Sequence, residues 1–249
     1  MKSVIRFLLL GVLWTGGTAI AGAPLVDMEI HDRGEGRVLG TYPHQGMQYV
    51  EGKPGNEYQI VLRNRTGQRV LAVVSVDGVN VVSGETASYG QSGYVLGPWE
   101  TLRIQGWRKS LQRTAAFYFT ELGDSYAART GRPDNVGVIG VAAFREKRTP
   151  PPAALSQERE SGAQDSAARA HQAPGAKAEE QGLGTGHGRS EHAPARYVEF
   201  ERRSADPDQV LAIYYDSRRN LLARGIIPEP VPLRNPRPFP ARFVADPPR

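Results

Sequence analysis

Residues 68–107 read QRVLAVVSVDGVNVVSGETASYGQSGYVLGPWETLRIQGW, and this stretch decides the fold. Val70–Val76 is almost continuously apolar and runs into Asp77-Gly78. An Asp-Gly pair between apolar runs is a hairpin signal, because both residues tolerate positive φ. Residues 79–82 then return as a short partner strand. Residues 83–93 form a polar loop, Tyr94–Leu96 a brief strand, Gly97-Pro98 a turn, and residues 100–107 a further strand. In Val70–Val76, Val70, Ala72, Val74 and Val76 share one face, and Leu71 and Val73 the other. A strand apolar on both faces belongs near the middle of the structure.

The same reading extends in both directions. Residues 25–30 alternate, with Val26, Met28 and Ile30 on one face and Asp27 and Glu29 on the other, continued by His31. In Glu57–Asn64, Tyr58, Ile60 and Leu62 oppose Glu57, Gln59 and Arg63, the pattern of an antiparallel strand buried on one face. Arg113–Glu121 places Phe117 and Phe119 together. Residues 135–145 are again apolar on both faces. Ser125 to Arg129 is expected to form one helical turn in a loop. Seven or eight short strands with frequent turns predict an all-β fold, an antiparallel β-sandwich or small barrel over residues 22–146.

The flanks are different. Residues 1–21 carry Lys2 and Arg6, then an apolar run, then Ala19-Ile20-Ala21, the small-x-small pattern of a cleavage site. They predict a signal peptide, a mature N-terminus at Gly22, and a periplasmic or secreted protein with no transmembrane span after cleavage. The alternative is an uncleaved membrane anchor, for which the run is short against the roughly 20 residues of a span. Residues 147–195 lack aromatic residues and hold only Leu155 and Leu183 as large aliphatics. They predict a disordered linker, stiffened at its start by Pro150-Pro151-Pro152. Residues 196–227 are expected to form a C-terminal β-hairpin from strands at 197–203 and 210–216, docked on the sandwich because so short a unit has no core of its own. A short helix or turn at residues 217–223 would follow, ended by Gly225. The tail, residues 228–249, holds eight prolines and reads as extended.

Composition excludes several chemistries. With no cysteine there is no disulfide, thiolate metal site or Cys nucleophile. Removing Lys2 and Arg6 from the 31 basic residues leaves 29 against 26 acidic, a net charge of +3. The signs are mixed along most of the chain, unlike a nucleic-acid binder. Gly90-Gln91-Ser92-Gly93 lacks the spacing of a nucleophile elbow. The glycine-rich run from Gly182 to Arg189 lacks the Gly-Lys-Ser/Thr of a phosphate loop. Asp27, Glu29 and His31 line one strand face, and the bland reading, a solvated polar face, is preferred to a metal site. No cofactor is implied. Asn64-Arg65-Thr66 matches the N-glycosylation pattern. Asp77, Glu85, Glu100, Glu121 and Asp124 are the carboxylates that a glycan hydrolase would draw on.

The candidate binding residues are aromatic and basic: Tyr89, Tyr94, Trp99, Trp107, Arg108, Tyr126 and Arg129, in or beside loops. Such rings either recognise a glycan or protein or cap the core. Val-Asp-Gly-Val-Asn at 76–80, Gly-Trp-Arg at 106–108, Phe-Tyr-Phe-Thr at 117–120, Ser-Tyr-Ala at 125–127, the run at 135–142, Gly-Thr-Gly-His-Gly at 184–188 and Tyr-Asp-Ser at 215–217 complete the motifs. With them the chain resembles a family of uncharacterised exported bacterial proteins. The resemblance implies export and a β-rich fold, assigns no residue a role, and would end the linker near Gly182. The expected function is a non-catalytic envelope or extracellular module binding a protein or glycan. The alternatives are a carboxylate hydrolase of envelope polymers and an envelope structural subunit.

Overall fold

The computed structural model describes residues 23–147 and 182–228. The expected signal segment, the middle of the expected linker and all but the first residue of the proline-rich tail lie outside the described residues. The fold is mostly β, with two seven-stranded sheets stacked as a sandwich. The first sheet contains β1 (Val26–Asp32), β2 (Arg37–Val38), β5 (Glu57–Asn64), β9 (Thr101–Ile104), β10 (Gly106–Arg108), β11 (Arg113–Glu121) and β13 (Leu183–His192). The second contains β3 (Thr41–His44), β4 (Met47–Gly52), β6 (Val70–Val76), β7 (Val79–Asn80), β8 (Tyr94–Leu96), β12 (Val138–Arg145) and β14 (Gln209–Ser217). The chain crosses between sheets repeatedly, so neither sheet is complete without residues from both ends of the described chain.

The periodicities decide the faces as expected. Val70, Ala72, Val74 and Val76 of β6 enter the main core with Tyr58, Ile60 and Leu62 of β5. Leu71 and Val73 face outward, where Ala142 and Phe144 join them and Phe200 covers them. That cover explains how a strand apolar on both faces sits in a two-layer fold. Arg202 lies over the Phe144 ring, 4.4 Å from its centroid, and donates to the carbonyls of Tyr89 and Gln91. On the same sheet, Tyr49 packs with Leu221, Ile226 and Ile227 at and beyond the helix α2 (Arg218–Ala223). Ser217 caps that helix, accepting from the Asn220 amide, and Gly225 turns the chain out at φ +66°.

Two expectations are corrected. Leu183–His192 is not linker: it is a ten-residue strand paired antiparallel with β11. Composition hid it, because its packing comes from what lies across its glycines. A Cβ at Gly184 would lie 2.5 Å from the Ser125 Cβ, and one at Gly186 would overlap the Tyr118 ring. Second, residues 196–227 form no hairpin. Gln209–Ser217 is an inner strand, antiparallel to β12 and parallel to β4, the one parallel pairing recorded between the described strands. Residues 197–203 form no strand: as the chain passes from β13 to β14 they meet the second sheet through an isolated bridge between Arg202 and Glu146, flanking amide hydrogen bonds from Lys147 to Glu201 and from Arg203 to Arg145, and the packing of Phe200. Asn64 of the Asn-Arg-Thr pattern is buried, and its Nδ2 donates to the carbonyls of Gln68 and Gly97, each at 2.7 Å. In the folded chain that nitrogen is occupied.

The Asp77-Gly78 turn joins local to long-range structure. Asp77 has φ +53° and Gly78 φ +72°, the two positive values of a two-residue type I′ hairpin. The Asp77 carboxylate is buried. Its Oδ1 accepts from the Gly137 amide at 2.9 Å and the Tyr215 hydroxyl at 2.5 Å, and its Oδ2 from the Thr185 amide at 2.8 Å. Because Tyr215 donates to the carboxylate, its oxygen accepts from Thr185 Oγ1 at 2.7 Å, which in turn accepts from Tyr58 at 2.7 Å. The chain of hydroxyls therefore runs one way, each bond polarising the next. It spans the core from β5 and β13 to β6 and β14. Tyr58 is held flat between Phe117 and Phe119, at centroid distances of 5.3 and 4.4 Å.

Burial is the largest influence on Asp77 and pushes its pKa up to about 6; the bonds from Tyr215, Gly137, Thr185 and Val138 oppose that rise. A folded pKa above the ordinary 3.8 means that the folded chain holds the proton more tightly than the unfolded one. Raising the pH from about 4 to about 6 therefore removes stability contributed by this group, and the loss levels off above that. Urea unfolding at several pH values should show wild type losing stability relative to Asp77→Asn across this window. Parallel curves would disprove the assignment. Asp77→Ala strands three buried donors and should cost about 3 kcal/mol or more at neutral pH.

Candidate functional site

The site begins in the core, at Trp107 on β10. Gly106 allows β10 to approach β11 closely, because a Cβ there would overlap the Ala115 carbonyl. The Trp107 side chain is thereby seated inside, with the residue only 4% exposed. Its indole N–H donates to the Gly186 carbonyl at 3.1 Å, and Phe117 meets it edge-on at 5.2 Å. The next ring out is Tyr126, the first residue of α1 (Tyr126–Arg129). Ser125 caps this single helical turn by accepting from the Ala128 amide at 3.1 Å. The Tyr126 ring lies 4.7 Å from Trp107 and 5.7 Å from His187, nearly parallel to the latter. His187 comes from β13 and is exposed. Three rings thus climb from the core to the surface.

Cations surround the outer end. Lys109, in the β10–β11 turn, and Arg129, on α1, are both exposed. Arg132 donates to the Gly84 carbonyl at 2.9 Å and to the Thr130 hydroxyl at 2.8 Å. Arg113 donates to Ser190 Oγ at 2.8 Å. Among the described residues, none of these four forms an ion pair with a carboxylate. Desolvation of the face that Tyr126 covers lowers the pKa of His187 from its ordinary value, and Lys109 and Arg129 lower it further. Elsewhere on the first sheet two cations are matched by acids. Arg33, Glu57, Arg189 and Glu191 close a ring of ion pairs with separations of 2.5 to 3.4 Å.

The seven residues singled out from sequence divide into groups. Trp107, Tyr126 and Arg129 belong to the assembly just described. Arg108 of β10 and Tyr94 of β8 form a separate pair between the two sheets. The guanidinium lies 5.7 Å from the Tyr94 centroid and reaches the Tyr94 hydroxyl and the Ala193 carbonyl. Tyr89, 52% exposed, stands in the loop that holds Arg202. Trp99, 67% exposed, lies beside Gly67 at the Val70 end of β6, whereas Tyr126 packs near Gly84, beyond the Val76 end. His187 and Lys109 were not among the seven. The alternation of Thr185 and His187 between glycines was the available signal, and it lay in a segment read as linker.

The candidate carboxylates are dispersed. Asp77 is enclosed by its donors; Glu85 accepts from Gln91 Nε2, and Glu100 from the Gly97 amide. His31 pairs with Glu29 at 3.0 Å, and Asp27 with Arg65. Among the described residues no group of three or more His, Asp or Glu could hold a metal ion, and no helix is long and apolar enough to cross a membrane. No family model, curated protein or solved structure matches the chain.

The layering of the rings is open to a spectroscopic check. In the chain beginning at Gly22, Trp99 and Trp107 are the two tryptophans. The Trp99→Phe variant should emit at short wavelength and resist iodide. Adding Tyr126→Ala should open Trp107 to the quencher. Equal quenching with and without Tyr126 would contradict the stack.

Proposed function

We propose that the chain is an exported, non-catalytic β-sandwich module that binds a glycan or protein of the cell envelope through the surface built on Tyr126 and His187. The observation that carries this reading is the continuous stack from Trp107 to His187, ending among cations without carboxylate partners. Rings anchored in a core lose little freedom on binding and make good contact residues. Arginine and lysine beside them supply orientation through directed hydrogen bonds. The burial of Asp77, the carboxylate furthest from its ordinary pKa, fits a structural role better than a hydrolytic one. The structural-subunit alternative gains little from β3, an edge strand four residues long and interrupted by Pro43.

Export follows from the sequence pattern of residues 1–21, and N-terminal sequencing of the native protein should begin at Gly22. An intact Met1 in envelope-associated material would favour the uncleaved anchor. Binding is tested by co-sedimentation with an envelope fraction of the source cell, with and without protease treatment of that fraction. Tyr126→Ala combined with His187→Ala should weaken binding about tenfold or more, as loss of central contact residues does. Thermal melting should be checked in parallel. A well-folded double variant that sediments like wild type would refute this surface.

A further inference from the structure

We propose that the Tyr126–His187 surface takes a polyanionic saccharide, one sugar ring lying on the exposed aromatic face and its carboxylate or sulfate groups held by Lys109, Arg129 and Arg132. This rests on the preceding reading of the surface as a binding site and adds the charge of the ligand.

The argument is electrostatic. Arg129 stands one helical turn from Tyr126 on α1, whose ring lies 5.7 Å from His187, and Lys109 opens the turn after β10, two residues beyond Trp107; both cations lower the pKa of His187. Arg132 is fixed in the same region by Gly84 and Thr130, whose oxygens are neutral and leave its charge uncompensated. Like charges gathered on one surface repel, with screening at physiological salt acting over about 8 Å. In the Arg33–Glu57–Arg189–Glu191 ring on the same sheet, acids remove such repulsion. Here no acid does so among the described residues, and an anion supplied from outside completes the surface. A guanidinium fork matches the paired oxygens of a carboxylate or sulfate. The stack exposes one ring, that of His187, with Tyr126 half-buried beneath it. A single-stranded nucleic acid is met instead by successive stacking platforms along a basic groove.

The test uses the whole chain from Gly22, in physiological salt, over immobilised polygalacturonate, dextran sulfate, uncharged dextran and a single-stranded oligonucleotide. The expected result is binding to both acidic polysaccharides and none to dextran. Lys109→Glu with Arg129→Glu should weaken that binding about tenfold or more. A charge-matched control, Arg103→Glu with Arg219→Glu on β9 and α2, should change it less than about twofold. Circular dichroism and melting confirm that both variants fold. Equal loss in the control would reduce the binding to net charge and overturn the inference. So would tighter binding to the oligonucleotide, or equal binding to dextran. Failure of all four probes, with the envelope fraction still captured through Tyr126 and His187, overturns the anionic saccharide alone. Failure of the capture as well removes the binding site itself.

Discussion

A carboxylate inside an apolar core is tolerated only where donors surround it, and Asp77 draws its donors from across the sequence. Gly137 precedes β12, Thr185 lies on β13 and Tyr215 on β14, and all three give hydrogen atoms to one side chain. Leaving such a group unmatched would cost several kcal/mol, so the turn after β6 obliges three later segments to arrive in register. The residue that makes the hairpin's φ also makes the core's polar centre. Gly78 is doubly constrained too, since its φ is positive and a Cβ would lie 2.7 Å from the Cβ of Asn135. The sandwich is thus knit by hydrogen bonds where its two sheets meet, while its hydrophobic faces fill the space between.

What the sequence made legible follows from the range of each interaction. The Asp77-Gly78 hairpin, the alternation of Tyr58, Ile60 and Leu62, the two-faced β6, and the helical turns starting beside Ser125 and Ser217 are all decided within a few residues. The pairing of β14 was not. Its own apolar rhythm marks it as a strand, but nothing in residues 209–217 says that β4 and β12 flank it. Glycine-rich β13 is a different failure. Composition measures what a segment buries with its own side chains, and β13 is buried by Tyr118 and Ser125 lying where its side chains are missing. His187 was lost with it, and with His187 the outer ring of the candidate site.

The contrast between two charged surfaces on one sheet gives the site its character. Around Glu57 and Glu191 every cation has an acid within reach. Around Tyr126, Arg132 hydrogen-bonds to a carbonyl and a hydroxyl, which fix its direction and leave its charge. Arg132 on Gly84 also ties the segment after α1 to the loop after β7. Pre-positioning of this kind lowers the entropy lost when a partner arrives.

The threading of β14 between β4 and β12 bears on how the chain reaches this state. Emerging from a ribosome or a translocation channel N-terminus first, it must hold a vacant slot, two strands' backbone edges facing each other, until residue 217 is free. Nothing nearer in sequence fills that slot among the described strands. Until then the neighbouring molecule's last strand is as good a filler as its own, which makes crowding during synthesis the condition under which two copies would become entangled.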